Sequence, residues 1–498
     1  MSIQRLDLPS LRSLLLEHPA VPDHILVRNI VVDHRHIKAG DLFIARSGVH
    51  HKGADYVVPA IQAGASAVLM AKSDYHQGLQ DYADLIFPVE NLTQVMGEVI
   101  HRYYESVTEQ MAVIGVTGTN GKTSCCHFIA QALNLLGEKT AYIGTIGFGF
   151  PGQLEEATHT TPEVLRLHQL LARYKSEGAK AVVMEVSSHA LDQGRTSGVM
   201  FSQVGFTNLT RDHLDYHQTM EAYAASKQRL FENTSAVQLL NIDDDFGVKL
   251  AAKASEQELP VLTYSLIKSN ADIFVRHSEF NIEGIGFVLS TPWGEVATQS
   301  KLIGRFNLSN LLLTTASLGA AGYPVTQIGK VLSKIEPVSG RMGKVSQDNE
   351  PLVLVDYAHT PDALLQTLSA LNEHRKEGGK VICVFGCGGD RDQGKRPIMA
   401  QIASGLADKL VITSDNPRTE NPMFIINQIL SGLTDQSKAV VESDRAEAIS
   451  QAISIASNVD IVLIAGKGHE DYQEIDGHRY PFSDQQVARA HLDKRAFR

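Results

Sequence analysis

The chain of 498 residues is poor in cysteine, in positive charge and in long apolar segments. Its four cysteines form two close pairs, Cys125 with Cys126 and Cys383 with Cys387. Neither pair has the spacing of a zinc site or indicates a disulfide framework. Small thiols in apolar surroundings are usually packing residues. We therefore expect all four cysteines to be buried and reduced.

No run approaches the roughly 20 apolar residues that a membrane-spanning helix needs. The amino-terminal stretch lacks the apolar core and cleavage site of a signal peptide. The formal net charge is −11, whereas a nucleic-acid partner requires a basic surface. We expect a cytoplasmic protein with no nucleic-acid partner and no insertion into a membrane.

The length and overall composition of the chain indicate a globular protein of several domains. Hydrophobic residues make up 43% of the chain and charged residues 20%, which is ordinary for such proteins. At roughly 100–200 residues per domain, two to four domains are expected. We predict an α/β protein with a small N-terminal α/β domain (1–108), a central P-loop ATPase-type parallel sheet (109–338) and a C-terminal Rossmann-like domain (339–498).

Apolar runs within these regions predict particular elements. Strands are expected at 111–116, 181–186, 352–356, 381–386, 409–414 and 460–466. Residues 270–301 alternate like antiparallel hairpins and are interpreted as an insertion in the central domain. The stretch 336–344, with a proline and two glycines, is the predicted linker.

Residues 111–124, "MAVIGVTGTNGKTS", predict a strand, a glycine-rich turn and the start of a helix. Gly118 and Gly121 permit torsions that a β-carbon forbids, and they let backbone N–H groups approach an anion. Lys122 adds a positive charge, and the Thr123 hydroxyl can reach a magnesium ion. The turn lacks the first glycine of the strict nucleotide-binding pattern. We interpret it as a polyphosphate cradle, and the alternative is a glycine turn with a structural role.

Two further stretches contain side chains suited to metal chemistry. Glu185 ends a predicted buried strand, where a carboxylate is costly unless it meets a cation or hydrogen-bond donors. The stretch "FTNLTRDHLDYH" gathers Asp212, His213, Asp215 and His217. Magnesium is one candidate partner of Glu185, and the alternative for the acidic and histidine residues is a solvated turn.

Lys227 stands between apolar neighbours in "YAASKQRLF". Burial depresses the pKa of a lysine, and the free amine that results can take up carbon dioxide as a carbamate. That reaction would turn a cation into a metal-binding anion. The alternative from this pattern alone is a surface lysine.

Several motifs occur together over about residues 30–485. They are "TGTNGKTS", "MEVSSH", "TNLTRDHLDYH", "NIDDD", "GRFNLSN", "GRM", "VDYAHTPDAL" and "DNPR". In this combination the chain resembles the Mur ligases, which are ATP-dependent amide-bond-forming enzymes of peptidoglycan synthesis. It is most similar to family members that add meso-2,6-diaminopimelate to UDP-N-acetylmuramoyl-L-alanyl-D-glutamate.

The resemblance implies roles for particular positions in nucleotide and metal binding. The ATP-binding residues would be Gly118, Thr119, Asn120, Gly121, Lys122, Thr123, Ser124, Asn307, Arg341 and Asp356. The catalytic residues would be Lys122, Glu185, His213 and Lys227. Mg²⁺ would be held by Thr123, Glu185, His213 and Lys227, the last as N6-carboxylysine.

The resemblance also implies two further binding sites. The UDP-sugar peptide would contact Thr160, Thr161, Ser187, Gln193 and Arg195. Diaminopimelate would contact Arg391, Asp415, Asn416, Pro417, Arg418, Gly466 and Glu470. The arginine of "DNPR" suits a distal carboxylate, and family members that add lysine lack it. The chain departs from the family pattern at Asp33-His34-Arg35, at Lys52-Gly53 and at Gly343, so no uridine contacts are carried over.

The implied reaction explains why a nucleotide is needed. Hydroxide is a poor leaving group, so the D-glutamate γ-carboxylate would first attack ATP to give an acyl phosphate and ADP. The diaminopimelate amine would then attack the acyl carbon and release phosphate. Closure of the last domain would keep water from the acyl phosphate. We expect a monomer.

Other functions remain open at the level of sequence. A sister ligase could use lysine or D-alanyl-D-alanine, or could add glutamate to a folate. A P-loop regulatory switch would hydrolyse nucleotide to change its partners. A binding module without catalysis would not need Lys122, Glu185 and Lys227 together.

Overall fold

The structure is a computed structural model. It describes residues 8–18, 21–48, 51–157, 159–232, 234–281, 283–338, 340–347 and 349–495. The chain divides into two compact units. The first unit comprises Met1–Lys122, Gly137–Gln238 and Lys249–Val261, and the second comprises Thr123–Leu136, Leu239–Val248 and Leu262–Arg498.

The helices and strands follow one another along the chain in three groups. The amino-terminal elements are α1 (Leu11–Leu14), β1 (Ile30–Val31), β2 (Leu42–Ala45), α2 (Val57–Gln62), β3 (Ala67–Ala71), β4 (Ile86–Val89) and α3 (Leu92–Tyr103). The next elements are β5 (Ala112–Thr117), α4 (Lys122–Leu135), β6 (Thr140–Gly144), β7 (Gly147–Phe150), β8 (Gln153–Glu155), α5 (Val164–Ser176), β9 (Ala181–Glu185), α6 (Ser188–Asp192), β10 (Gln203–Phe206), α7 (Leu214–His217), α8 (Met220–Gln228), β11 (Val237–Asn241), α9 (Asp245–Glu256), β12 (Val261–Ser265), β13 (Ile273–Asn281), β14 (Gly284–Thr291), β15 (Gly294–Ser300), α10 (Arg305–Ala320) and α11 (Val325–Leu332). The carboxyl-terminal elements are β16 (Gly343–Lys344), β17 (Leu352–Asp356), α12 (Pro361–His374), β18 (Val381–Phe385), α13 (Lys395–Leu406), β19 (Lys409–Ile412), α14 (Pro422–Leu430), β20 (Ala439–Val441), α15 (Arg445–Ile455), β21 (Ile461–Ala465), β22 (Tyr472–Ile475), β23 (His478–Pro481) and α16 (Asp484–Arg495).

Two groups of parallel strands organise the first unit. Strands β1, β2, β3 and β4 pair in that order, all parallel. Strands β10, β5, β9 and β6 form a second parallel run, and β7 and β8 continue it in antiparallel fashion. The carboxyl ends of parallel strands meet at one edge of a sheet, which is where α/β proteins bind ligands. The segments after β5, β6, β9 and β10 therefore lie together.

The second unit contains an antiparallel hairpin region and a parallel sheet. Strands β13, β14 and β15 pair antiparallel, and β12 joins β13 in parallel. The parallel sheet has the order β16-β17-β21-β18-β19-β20, in which only β16 is antiparallel. Its central strands are buried along their whole length, as parallel strands covered on both faces are expected to be.

Apolar side chains cover both faces of this parallel sheet. One face packs against α12, α13 and α14, with Leu364, Met399 and Ile426 among the buried residues. The other packs against α15 and α16 through residues that include Ile449 and Leu492. This doubly wound arrangement leaves the strand ends and their loops for binding.

Most of the expected elements are confirmed. The strand, turn and helix around residues 112–135, the antiparallel strands within 270–301 and the parallel C-terminal sheet are all present. Strand β19 ends at Ile412 and not at 414, and β18 ends before Cys387. The four cysteines are buried and unbridged. The last two residues of the expected linker form β16, and Ser339 within it lies outside the described residues.

Across the residues that the structure describes, no helix combines the length and the apolar character needed to cross a bilayer.

Close backbone packing joins α3 to the segment after α6 in the first unit. A β-carbon at Gly97 would lie 2.4 Å from the carbonyl carbon of Ser197, and one at Gly198 would lie 2.2 Å from the Gly97 oxygen. Because the nearest atoms belong to the backbone, they cannot move aside cheaply. Glycine at position 97 thus allows two segments 100 residues apart to touch.

We expect Gly97→Ala to destabilise the protein by about 1–3 kcal/mol, the usual cost of overpacking. Alanine favours a helix over glycine by up to about 1 kcal/mol, so the clash must exceed that gain. Gly405→Ala in α13 is the matched control, because a β-carbon there meets no atom within 4 Å. Denaturant unfolding of both variants checks this, and equal stabilities would contradict it.

Candidate functional site

In the first unit, the turn between β5 and α4 has the backbone of an anion-binding loop. Gly118 has φ +149° and Gly121 has φ +84°, values that disfavour a side chain. A β-carbon at Gly118 would lie 1.9 Å from the hydroxyl oxygen of Thr207. Helix α4 begins at Lys122, so its positive N-terminal end meets the same turn.

Residues that follow β10 fix this turn. The Thr119 N–H donates to the carbonyl oxygen of Asn208 at 2.8 Å, and the Asn120 N–H donates to Asn208 Oδ1 at 2.8 Å. The Thr119 hydroxyl donates to the carbonyl of Thr210 at 3.2 Å. These bonds hold the loop in one conformation, which is the preorganisation that a charge-stabilising site requires.

Two lysine side chains converge on one carbonyl oxygen in this turn. Lys122 Nζ donates to the carbonyls of Gly118 and Thr119, both at 2.8 Å. Lys227 Nζ, from α8, donates to the same Gly118 carbonyl at 2.7 Å. The positive charge of Lys122 at this turn suits a polyphosphate, and the Lys227 amine lies beside it.

Lys227 is buried, with 1% of its surface exposed, and its Nζ lies 4.4 Å from the centre of the Tyr223 ring. Burial holds the pKa of Lys227 well below the usual lysine value, and the nearby charge of Lys122 lowers that pKa further. The alternative of a surface lysine is therefore excluded. A buried amine of low pKa is the species that forms a carbamate, and N6-carboxylysine at this position stays a prediction.

Glu185 ends β9 and is almost fully buried. Its carboxylate accepts a hydrogen bond from the Tyr142 hydroxyl, one from the Thr145 N–H at 2.8 Å and one from the Thr145 hydroxyl at 3.2 Å. A β-carbon at Gly144 would lie 2.3 Å from Glu185 Oε1. The hydrogen-bond donors expected for a buried carboxylate at position 185 are thus present.

The residues expected to hold a metal suit Mg²⁺ only in part. Within the described part of the chain, no group of three or more histidine, cysteine or acidic side chains is arranged to hold a metal. Mg²⁺ usually takes one or two carboxylates together with substrate phosphates, a pattern that Glu185 meets. In the second unit, the Thr123 hydroxyl in the first turn of α4, next to Ser124, is buried and is an oxygen donor of a kind that Mg²⁺ accepts.

The histidine cluster is less suited to Mg²⁺, because imidazole favours transition metals. The His213 ring lies 4.9 Å from that of His189, and His213 Nε2 is 3.5 Å from Asp212. His217 is buried and contacts the Ser188 hydroxyl at 2.9 Å. The side chain of Asp215 lies outside the described residues.

The residues expected to contact the sugar peptide lie close together in the first unit. Thr161 donates to the Glu185 carbonyl at 2.8 Å and accepts from the Ser187 N–H at 3.1 Å. Arg195 donates to Gln193 Oε1 at 2.9 Å and to the Thr161 carbonyl at 3.0 Å.

The cluster extends to two further residues. The Thr160 hydroxyl lies 3.2 Å from that of Thr145. Arg46, which the sequence analysis did not single out, donates to the Gln193 carbonyl at 3.1 Å. Within this polar group, Thr161 contacts the Glu185 backbone, and Thr145 contacts its carboxylate.

In the second unit, the three remaining positions assigned to ATP are buried or packed. Asn307, in the first turn of α10, donates to the Ile303 carbonyl at 2.8 Å. Asp356 accepts from the N–H groups of Met342 and Ala358 at 2.7 and 2.9 Å, and burial raises its pKa. The Arg341 guanidinium stacks over the Tyr357 ring at 4.9 Å. Their contact with a nucleotide stays a prediction.

The residues assigned to the incoming amino acid come from three strand ends of the C-terminal sheet. Arg391 follows β18, the "DNPR" residues follow β19, and Gly466 with Glu470 follows β21. These strands are parallel neighbours, so their carboxyl ends share an edge. The positions are distant in sequence, and the sheet brings them together.

Polar contacts order this edge. The Asn416 side-chain amide donates to Glu470 Oε2 at 2.9 Å, and Lys467 Nζ donates to the same oxygen and to Asn416 Oδ1, each at 3.0 Å. A β-carbon at Gly466 would lie 2.4 Å from Asp415 Oδ2, so glycine is required beside that carboxylate. One carboxylate oxygen of Glu470 is thus held in place by Lys467 and Asn416.

Arg391 and Arg418 flank one glycine. The β-carbon position of Gly388 lies 3.0 Å from Arg418 Nη1 and 3.8 Å from Arg391 Cγ. Arg418 donates to the Gly389 carbonyl at 2.8 Å, and its Nε lies 3.4 Å from Glu474. Two arginines on adjacent loops thus lie beside the same glycine, and guanidinium groups are suited to binding a carboxylate.

Lys467, whose side chain is fully buried, was not among the residues predicted from the sequence. A charged residue within "AGKGHE", directly after an apolar strand, was the only available signal, because its burial depends on loops from elsewhere in the chain. Tyr142 was not predicted either, because its partner Glu185 lies 43 residues away. Tyr223 was not predicted although its partner Lys227 is one helix turn away.

Taken with the fold, this geometry defines an α/β protein with a glycine-rich turn suited to a polyphosphate in the first unit and two arginines suited to a carboxylate in the second. Three family models match the chain: "Mur ligase family, catalytic domain" over residues 26–104, "Mur ligase middle domain" over 116–318 and "Mur ligase, glutamate ligase domain" over 340–468.

Individual relatives agree with the family models. The UDP-N-acetylmuramoyl-L-alanyl-D-glutamate–2,6-diaminopimelate ligase of Chromobacterium violaceum is 45% identical over 483 residues, 97% of this chain and 96% of the relative. The chain belongs to the Mur ligase family, whose members are ATP-dependent amide ligases.

Solved structures are similar as well. A structure of a UDP-N-acetylmuramoyl-L-alanyl-D-glutamate–2,6-diaminopimelate ligase is 35% identical with a TM-score of 0.78, covering 98% of this chain and 100% of that one. The MurF ligase of Thermotoga maritima in complex with ADP is 16% identical with a TM-score of 0.59, covering 95% of this chain and 100% of that one. The second likeness concerns the fold alone.

We expect Lys122→Met to raise the pKa of Lys227, because the substitution removes a like charge that disfavours protonation of the buried amine. Burial remains, so the pKa stays below that of ordinary lysines. Lysine side-chain NMR titration in buffer depleted of carbon dioxide measures the change. Lys180→Met, at an exposed position of the same unit, is the control, and equal Lys227 titrations in the two variants would contradict the expectation.

Proposed function

We propose that this chain is the ATP-dependent ligase that joins meso-2,6-diaminopimelate to UDP-N-acetylmuramoyl-L-alanyl-D-glutamate, with release of ADP and phosphate. The observation that carries the proposal is the pair of arginines, Arg391 and Arg418, at the carboxyl edge of the C-terminal sheet in a chain of this family. The relatives named for that reaction support it.

ATP binds at the glycine-rich turn for the first step of the reaction. The substrate carboxylate attacks the γ-phosphorus of ATP, which gives ADP and an acyl phosphate. Lys122 and the N–H groups of residues 118–124 stabilise the negative charge that develops on the phosphoryl oxygens. Asn307 contacts the adenine, while Arg341 and Asp356 contact phosphate and ribose.

Mg²⁺, when bound, supplies charge neutralisation at the phosphates. Glu185, Thr123, His213 and Lys227 as its carbamate would hold it. The hydrogen bonds from Tyr142 and Thr145 fix the Glu185 carboxylate, and such supporting contacts orient a metal ligand.

The sugar peptide binds at Thr160, Thr161, Ser187, Gln193 and Arg195. Among these five residues Arg195 carries the positive charge, and it meets a carboxylate or phosphate of the substrate in place of its present partner Glu163, 3.0 Å away. Its existing bonds to Gln193 and Thr161 hold the guanidinium in one orientation, which favours an oriented, bidentate contact.

The amino acid binds through opposite charges at its distal end. The distal carboxylate of diaminopimelate pairs with Arg418 and Arg391, and its ammonium meets Asp415 and Glu470. Asn416, Pro417 and Gly466 shape the pocket. The proximal amine, once deprotonated, attacks the acyl carbon. The amide bond forms and phosphate is released.

The wider assignments follow from this reaction. We propose domains at 1–108 for the UDP-sugar, at 109–338 for ATP and at 339–498 for the amino acid. The enzyme acts as a cytoplasmic monomer in peptidoglycan precursor synthesis and therefore in cell wall formation and cell division.

An amino-acid panel tests the proposal. ADP release is followed with ATP, Mg²⁺ and UDP-N-acetylmuramoyl-L-alanyl-D-glutamate in the presence of meso-diaminopimelate, L-lysine, D-alanyl-D-alanine or L-glutamate. We expect kcat/KM for L-lysine to be at least about 100-fold lower than for meso-diaminopimelate, because lysine leaves the guanidinium groups without a carboxylate.

Arg418→Lys serves as the matched variant, since it keeps the charge and removes the planar pair of donors. The Arg418→Lys enzyme is expected to lose most of its preference for meso-diaminopimelate over L-lysine. Equal rates with L-lysine in the wild type, or ATP hydrolysis that ignores both co-substrates, would contradict the proposal.

A further inference from the structure

The loops that carry Arg391 and Arg418 are tied directly to each other. The 386–394 loop connects β18 to α13, and the 413–421 loop connects β19 to α14. The Gly389 N–H donates to the Asn416 carbonyl at 2.9 Å, and Arg418 returns a bond to the Gly389 carbonyl at 2.8 Å. A β-carbon at Gly389 would lie 1.9 Å from the Pro417 oxygen, so the two backbones are in contact.

Side chains of Asp390, Thr419 and Glu420 reinforce this contact. The Thr419 hydroxyl donates to Asp390 Oδ1 at 2.8 Å, and the Thr419 N–H donates to Asp390 Oδ2 at 3.2 Å. The Asp390 N–H donates to Glu420 Oε1 at 2.6 Å. Each loop therefore uses a carboxylate to bind the backbone of the other.

A buried arginine closes the arrangement. The Arg396 side chain has 0% exposure and donates to Glu420 Oε2 at 2.9 Å and to Oε1 at 2.8 Å. The same guanidinium donates to the Gly388 carbonyl at 3.0 Å, so one side chain binds both loops. Its bonds hold the pKa of the Glu420 carboxyl below the usual range. We call Asp390, Arg396, Thr419 and Glu420 the clasp.

A contribution to stability does not by itself explain why the Arg396 guanidinium is buried. Arg396 is the second residue of α13, and a positive charge near a helix N-terminus is unfavourable. Its Nε is buried without a hydrogen-bond partner among the described residues. Buried ion pairs often add little stability compared with apolar side chains. The position therefore calls for a role beyond packing.

The clasp also holds strained backbone on both loops. Asp390 has φ +53° and Arg418 has φ +50°, in the left-handed region that non-glycine residues rarely occupy. Such conformations persist where surrounding bonds enforce them, and they concentrate at functional sites. Arg418 is itself one of the strained residues, and the direction of its side chain depends on that backbone.

We propose that the clasp is a positioning device that sets the separation of Arg391 and Arg418 and so determines selectivity for an amino acid with a distal carboxylate. The inference rests on the proposed function. Arg396 and Glu420 are positioning residues, since they act through the two loops. Loosening the clasp weakens the grip on the distal carboxylate, and it changes little for an amino acid that lacks this group.

Glu420→Gln is the direct test, because it keeps the shape of the side chain and removes its charge. We expect KM for meso-diaminopimelate to rise at least about tenfold, with kcat and the KM for ATP within about threefold of wild type. The ratio of kcat/KM for meso-diaminopimelate over L-lysine should fall by at least about fivefold. A residue that only supports the fold would not move this ratio.

Glu350→Gln is the matched control. Glu350 accepts bonds from Arg489 at 2.8 and 2.5 Å in the C-terminal sheet region. The other partners of the two side chains are Gln347, Val345 and Asp493, which lie outside both loops. The control should lower thermal stability and leave KM and selectivity unchanged. If Glu420→Gln behaves in the same way, the clasp is structural and the inference is overturned.

Thr419→Val is a milder second variant that removes only the hydroxyl bonds to Asp390. It is expected to raise KM for meso-diaminopimelate about threefold, and an unchanged KM in the folded variant overturns the inference even if Glu420→Gln does not fold. A wild-type protein without diaminopimelate-dependent ADP release would instead overturn the proposed function, so the two failures are distinguishable.

Discussion

The carbonyl oxygen of Gly118 accepts hydrogen bonds from both Lys122 and Lys227, and the chemistry of the first unit depends on this convergence. Like charges at one point repel, most strongly where water is excluded. Burial and Lys122 together hold the pKa of Lys227 low. Lys122 thus supplies a permanent cation at this turn, and Lys227 supplies an amine of lowered pKa. Glycine at 118 is needed because Thr207 occupies the space of a β-carbon.

In both units the same strand topology brings polar side chains together. Parallel strands bring their carboxyl ends to one edge, and the loops after them carry the polar groups. In the first unit these loops supply Lys122 and Glu185. In the second they supply Arg391, Arg418 and Glu470. The apolar faces of the sheets stabilise the fold, so the loops at the strand ends can hold buried charge and strained backbone that a core could not.

How much could be predicted from the sequence depended on how local each feature is. The glycine-rich turn was readable because its strand, glycines, lysine and helix are consecutive. The burial of Lys227 could not be decided from its neighbours alone, since Gly118 lies 109 positions away. The pairing of Arg396 with Glu420 had no signal in sequence, because the contact spans 24 residues and two loops. The apolar run 381–386 did predict strand β18, which ends at Phe385, because a consecutive apolar run is a local signal.

The central claim is that Lys227 is a neutral, reactive amine at the nucleotide turn. Carbon-13 NMR of the protein in ¹³C-labelled bicarbonate at about pH 8 tests it most directly. The account predicts a carbamate carbon resonance in the wild type that disappears in Lys227→Ala and persists in Lys180→Met. Identical spectra for the wild type and Lys227→Ala would contradict the account.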